Sequence, residues 1–170
     1  MGTVGLDIRE RQTRPRFVVD VNVGRLAKWL RAMGYDTIFP EENGDNELVR
    51  IALRENRVLV TRDAGIALRR VVRLGQVTVA LVEKDDLRGQ LTQLVRDLEL
   101  DLSGGFSLCV CCNEPLYPID KQDVADRLPP YVLLTQPKFF QCPECRRVYW
   151  PGTHLANMKS ELSQVYQEAL

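Results

Sequence analysis

At 170 residues, with 45% hydrophobic and 27% charged residues, the chain has the length and composition of one ordinary globular domain or two small ones. Its 23 basic and 23 acidic residues cancel, so bulk charge gives no sign of nucleic acid and any such footprint has to be local. No apolar run is long enough to span a bilayer and no apolar signal core opens the chain, so a cytoplasmic protein without a membrane partner is expected.

The stretch Arg9 to Arg16 is basic and polar, and residues 1–15 are expected to form a flexible lead. Phe17-Val18-Val19 reads as a buried strand that runs into Asp20. From Gly24 to Met33 the pattern turns helical: Leu26, Trp29, Leu30 and Met33 make an apolar stripe, with Arg25, Lys28 and Arg31 on the opposite face. Gly34 suits the position just past that helix. Thr37-Ile38-Phe39 suggests a second strand, and Glu41 to Gly44 a loop. Asn46 to Glu55 reads as a helix with Asp45 as its N-cap. Arg57 to Thr61 is the clearest strand of the chain. Ala64 to Leu74 reads as a helix stopped by Gly75, Val77 to Val82 as another buried strand, and Asp86 to Leu98 as an amphipathic helix. Strands alternating with helices of this length predict an α/β fold, a parallel sheet with helices on both faces, over residues 16–103. Ser103-Gly104-Gly105 is a natural boundary. Beyond it, residues 106–152 lose periodicity and gather cysteines, prolines and aromatics, and a helical pattern returns from about His154. Residues 106–170 are therefore expected to form a small cysteine-based unit followed by a C-terminal helix.

Two sets of residues carry chemistry. Asp20, Asp45 and Asp63 each follow a strand or open a helix, which in a parallel sheet brings them to one rim, where open α/β folds bind ligands. Each has a plainer role as a turn or cap residue. Together they make an oxygen-rich group suited to Mg²⁺ or Mn²⁺, which would relieve their mutual repulsion. Asn22, two residues after Asp20, could donate an oxygen or orient a water, and Glu47, turned well away from Asp45 by its helical separation, is a further candidate for support. Arg25 and Lys28, on the helix after Asp20, are candidates for RNA phosphate contacts, or else a solvated face. Asp36 begins its strand and belongs at the opposite rim, with a structural role.

The second set is softer. Five cysteines include the pairs Cys109/Cys112 and Cys142/Cys145, 29 residues apart. In a reducing compartment that spacing favours metal over disulfides. Two Cys-x-x-Cys knuckles complete a tetrahedral Cys₄ site for Zn²⁺, and four thiolates leave no open position, so the zinc is structural. Cys111 is the odd cysteine. Tyr149, Trp150 and His154 either pack in this unit or offer stacking surfaces to single-stranded bases.

Asp45-Asn46-Glu47-Leu48-Val49 through Arg57-Val58-Leu59-Val60-Thr61-Arg62-Asp63 resembles the second half of a PIN-type ribonuclease. More specifically, Asp20-Val21-Asn22-Val23-Gly24-Arg25-Leu26-Ala27-Lys28-Trp29-Leu30-Arg31 and Gly34-Tyr35-Asp36-Thr37 resemble the mutator-seven C-terminal RNase domain family. That family appends a zinc ribbon, matched here by Cys109-Val110-Cys111-Cys112-Asn113, Cys142-Pro143-Glu144-Cys145 and Tyr149-Trp150-Pro151-Gly152-Thr153-His154. The resemblance covers roughly residues 16–158. It implies a PIN-like fold, ribonuclease activity, an RNA substrate, and Asp20, Asp45 and Asp63 as the acidic site. Analogy with PIN relatives also implies a homodimer.

One departure matters. Many PIN nucleases carry a further acid between the first strand and the Asp45 position, and the 24 intervening residues here offer no counterpart. A single tightly held ion, a second ion arriving with substrate, and weak activity all stay open. The leading expectation is a metal-dependent ribonuclease. The alternative is a non-catalytic RNA-binding adaptor whose acids survive as caps and turns. A haloacid-dehalogenase-type phosphotransferase lacks its second acid and lysine motif, and no Gly-x-x-x-x-Gly-Lys loop is present.

Overall fold

The computed structural model describes residues 14–40 and 44–170; most of the lead expected over 1–15, and most of the loop expected at 41–44, lie outside the described residues. Phe17, Val18 and Val19 form β1 (Phe17–Val19), buried on both sides. It pairs in parallel with β2 (Thr37–Ile38) and β3 (Val58–Thr61), and β3 pairs in parallel with β4 (Val79–Leu81). The strand order is β2-β1-β3-β4. A strand with no polar face needs cover on both sides, which is why such runs belong in parallel α/β sheets.

The helices are α1 (Arg25–Ala32), α2 (Asp45–Glu55), α3 (Ala64–Ala67), α4 (Arg70–Arg73), α5 (Leu87–Asp97), α6 (Pro130–Thr135) and α7 (Thr153–Ala169). Side chains alternate across a strand, and the two faces of the sheet fill two separate cores. Phe17, Val19 and Val60 pack with α1, α5 and α7, through Leu26, Leu30, Leu91, Leu94, Leu162 and Val165 among others. Val18 and Leu59 pack on the other side with Leu48, Ile51 and Ala52 of α2 and Ile66 of α3. Each fully buried aliphatic side chain contributes about 1.5–3 kcal/mol. The expected α/β architecture is therefore the one observed.

The cysteine-containing segment supplies a separate antiparallel sheet, β5 (Tyr117–Ile119), β6 (Phe139–Gln141) and β7 (Val148–Tyr149), in that order. Its strands are short and only partly buried, too little for an alternating pattern to show in sequence. α7 then leaves this segment and returns to the parallel sheet. It lies against α5, where Arg88 donates to both carboxylate oxygens of Glu168 at 2.6 and 3.1 Å.

Three local expectations are corrected. Arg31, on the polar face of α1 by its sequence pattern, is instead buried: its Nε donates to Thr37 O at 3.0 Å and its Nη1 to Val110 O and Cys111 O at 3.1 and 2.8 Å. Helical periodicity assigned it to the polar face, and the docked cysteine segment covers that face. Asp45 is the first helical residue of α2, and Gly44 is the N-cap. The run Ala64 to Leu74 breaks into α3 and α4 because Arg69 is extended, at ψ 147°.

Gly34 ends the α1 turn at φ +85°, and a Cβ there would meet the Gly104 carbonyl oxygen at 2.0 Å. Only glycine lets the chain boundary press against the start of β2. Beside it, Asp36 accepts from Arg57 at 2.8 and 3.1 Å and from Asn113 Nδ2 at 2.7 Å, while Asn113 Oδ1 accepts the Thr37 N–H at 2.8 Å. Burial pushes the Asp36 carboxyl up, but the Arg57 and Asn113 hydrogen bonds more than offset it and hold the group below its ordinary range. Asp36 is thus a structural acid at the far rim, part of the seam that docks the cysteine segment.

Candidate functional site

The end of β1 delivers Asp20, and a 3₁₀ turn over Val21–Val23 leads straight into α1. Asp20 is 5% exposed. Its backbone N–H donates to Val60 O at 2.9 Å, and its Oδ2 accepts the Thr61 hydroxyl at 2.6 Å. The same Thr61 Oγ1 accepts the Asp63 N–H at 3.0 Å. Thr61 is fully buried at the end of β3, so one hydroxyl links the two acids across adjacent strands. Asp63 is the N-cap of α3, its Oδ1 accepting the Gly65 N–H at 2.7 Å. That leaves the second oxygen of each carboxylate available.

Asp45 stands in the first turn of α2, which starts where β2 ends and runs back to the start of β3. It therefore shares the carboxyl-terminal rim of the sheet with Asp20 and Asp63. It engages Arg69: Nη2 lies 3.4 Å from Asp45 Oδ2, and Nη1 donates to Asn46 Oδ1 at 2.7 Å. Glu47 pairs with Arg50 at 2.6 Å. An open cleft of about 690 Å³ is lined by Asp45, Asn46, Glu47, Arg50 and Arg69. Asn22 Oδ1 accepts the Arg62 N–H at 3.3 Å, bracing the two strand ends. Arg25 and Lys28 are exposed on the first turns of α1, beside the Asp20 strand end.

The three aspartates share a rim without meeting at metal-binding distance. Among the described residues, the only group of three or more His, Cys, Asp or Glu side chains close enough to hold an ion is Cys109, Cys112, Cys142 and Cys145. Asp20 and Asp63 are coupled through Thr61, and Asp45 stands apart with Arg69. Thr61 and Arg69 are site residues that the sequence pattern does not single out. The Thr-x-Asp spacing was the one available signal for Thr61, and nothing marked Arg69.

The cysteine centre is built from two copies of one loop. In the first, Cys109 N–H donates to Glu114 O at 2.7 Å, and Asn113 at φ +69° donates to Cys109 O at 2.9 Å. In the second, Cys142 N–H donates to Arg147 O at 3.0 Å, and Arg146 at φ +59° donates to Cys142 O at 3.0 Å. A left-handed residue directly after the second cysteine turns each chain back, so each pair of sulfurs points at the other. All four sulfurs lie within 4.8 Å of one another. Cys111 is exposed and outside the cluster; its carbonyl is what Arg31 holds.

Such a cluster resists full ionisation, because adjacent thiolates repel one another. Burial pushes the Cys109 thiol up, but the Tyr149 hydroxyl at 3.1 Å and backbone N–H groups favour its thiolate and bring it to about 7. Cys112 moves the other way, to about 12, through its contact with Cys145, burial and the charge on Cys109. Four neighbouring sulfurs ionise together only around a cation. The donor set fits a soft divalent metal such as zinc. Tyr149 is therefore committed to the sulfur cluster, and burial together with the Cys109 charge pushes its own hydroxyl pKa up. Trp150 tilts against Phe139, with ring centroids 6.5 Å apart, and His154 is exposed at the start of α7.

The family model described as Mut7-C RNAse domain matches residues 15–162. No curated protein and no solved structure matches the chain.

Proposed function

Because this chain belongs to the Mut7-C RNase domain family, we propose that it is a ribonuclease that hydrolyses RNA phosphodiester bonds at a carboxylate-held Mg²⁺ or Mn²⁺. The observation that carries the reading is Asp20. A carboxylate at 5% exposure, with a single side-chain hydrogen bond and no cationic side chain paired to it among the described residues, calls for a compensating charge. Asp63, coupled to Asp20 through Thr61, adds an oxygen donor, and Asp45 on the same rim would join them on exchanging Arg69 for the ion, with Asn22 and Glu47 in support. When bound, the ion would supply Lewis acidity and an activated water for phosphodiester hydrolysis.

The chain's own residues supply the positioning. Thr61 fixes the Asp20 carboxylate and the Asp63 backbone together, so both acids stay in register with the strand ends. Arg69 offsets the charge of Asp45. Arg25 and Lys28 take phosphates flanking the cleaved bond. The four cysteines hold a structural zinc, making the second unit a zinc ribbon, and the reduced thiols it requires suit a cytoplasmic protein.

A second reading is favoured by one observation: Asp63 acts as a helix cap and Asp45 as an ion-pair partner, as they would in a non-catalytic RNA-binding adaptor. Incubation of purified protein with labelled single-stranded RNA and Mg²⁺ or Mn²⁺ separates them. Cleavage is expected, falling more than about 100-fold in Asp20→Asn and Asp63→Asn with RNA binding retained. Wild-type protein that binds RNA but shows no divalent-dependent cleavage would establish the adaptor instead.

A further inference from the structure

We infer that the groove between the cysteine unit and the start of α7 is a second RNA-binding site, one that receives an unstacked base of a single strand. The inference takes the identity of its ligand from the ribonuclease reading. The groove has a volume of about 790 Å³, in the range of small-molecule sites. The rings of Phe106, Phe140 and Trp150 line it, all half-buried. Aliphatic residues such as Leu108, Leu116, Val148 and Met158 share the lining with exposed Lys138, His154 and Lys159, and no carboxylate residue lines it. Aromatic faces edged by ammonium groups, with acids excluded, complement a base joined to phosphates.

The rings are held in place. Phe106 sits at φ +61°, a region that costs an aromatic residue energy, and its N–H donates to Ala32 O at 2.7 Å at the end of α1. Lys159 Nζ lies 5.4 Å from the centre of its ring. The Trp150 indole lies over Gly152, where a Cβ would come within 2.7 Å of Nε1. The Trp-Pro-Gly sequence is thus a device for setting the indole on the groove wall. A groove of this kind rewards stacking without base identity, because every base has a face.

Its placement suits the rim site. The acids stand where α1 begins and Phe106 is bonded where α1 ends, and an eight-residue helix spans about 12 Å. A single strand seated in the groove would run beside α1, past Lys28 and Arg25, to reach Asp20.

The test uses the full-length, zinc-loaded protein without added Mg²⁺ or Mn²⁺, so that binding is read apart from cleavage. Fluorescence anisotropy with labelled oligouridine should show about tenfold weaker binding for Lys138→Ala/Lys159→Ala. Its log–log salt slope should be shallower by about 1.4, the loss of two single-strand phosphate contacts. Photo-crosslinking of 4-thiouridine RNA to the wild-type protein should map to Phe106, Phe140 or Trp150. Unchanged affinity and slope, or cross-links confined to the acidic rim, would overturn the groove. Groove binding in a protein that never cleaves RNA would sink the ribonuclease reading alone. Cleavage that survives with no groove binding would sink this inference alone.

Discussion

The Thr61 hydroxyl lies between Asp20 and Asp63, donating to one carboxylate at 2.6 Å and accepting the backbone N–H of the other residue at 3.0 Å. Asp20 is buried at the end of one central strand, and Asp63 is partly buried just beyond the end of its neighbour. Thr61→Val keeps the β-branched shape and removes only this link. It should cost about 1–3 kcal/mol, because a buried carboxylate oxygen and an N–H lose their partner together. Urea denaturation reads that loss. Under the proposed function, cleavage should fall as well, and Thr61→Ser should restore it in part by returning the hydroxyl. A valine variant with wild-type stability and cleavage would remove Thr61 from the site.

At the scale of the element, α1 serves both ends of the molecule. Its first turn carries Arg25 and Lys28 to the acidic rim, and its last turn sends Arg31 under the first cysteine loop. One guanidinium there holds Thr37 O, Val110 O and Cys111 O, from a strand and a loop that are remote in sequence. Arg31 carries a lowered pKa because burial disfavours its charge, with the nearby cysteine sulfurs partly opposing. Lysine has no planar fork to reach three carbonyls. Arg31→Lys should therefore destabilise the protein by at least about 2 kcal/mol, and Arg31→Met by more, since charge-assisted hydrogen bonds are worth about 1.5–3 kcal/mol each. Hydrogen exchange should locate the loss in residues 106–116, where the cysteine loop loses its post. Exchange confined to α1 would show that the contact does not hold the loop.

Across the whole molecule, the cysteine unit is tethered by the Arg31 contacts and by Asn113 on Asp36 and Thr37, but it shares little apolar core with the parallel sheet. α7 belongs to that core instead: Leu162, Val165 and Ala169 pack in the cluster of Phe17 and Leu30. Purified protein should contain one zinc per chain, measured by elemental analysis. Chelation should then raise hydrogen exchange across the sulfur loops and β5–β7, while amides around Leu162 and Val165 stay protected with the sheet. Under the proposed zinc site, metal binding would supply folding energy to the small unit and only a tether to the large one. Uniform loss of protection along the chain would show a single cooperative fold.

The sequence by itself determined what depends on local pattern. Unbroken apolar runs such as Phe17-Val18-Val19 and Val58-Leu59-Val60 alternate with amphipathic helical stretches, and that alternation is what made the α/β class legible. Two Cys-x-x-Cys pairs carry their chemistry in their spacing, and the residues from Asp20 to Arg31, with Tyr149 to His154, carried the family. The tertiary structure alone decided what depends on encounters between distant segments. Arg31 reads as a solvent residue until the segment around Cys111 lands on it. Arg69 has no sequence signal because its partner, Asp45, lies on a different helix. The last helix follows the cysteine unit in sequence, yet its apolar stripe is buried against α5. Period and spacing report the face a residue presents, whereas the partner that covers that face is chosen by the packing of the whole chain.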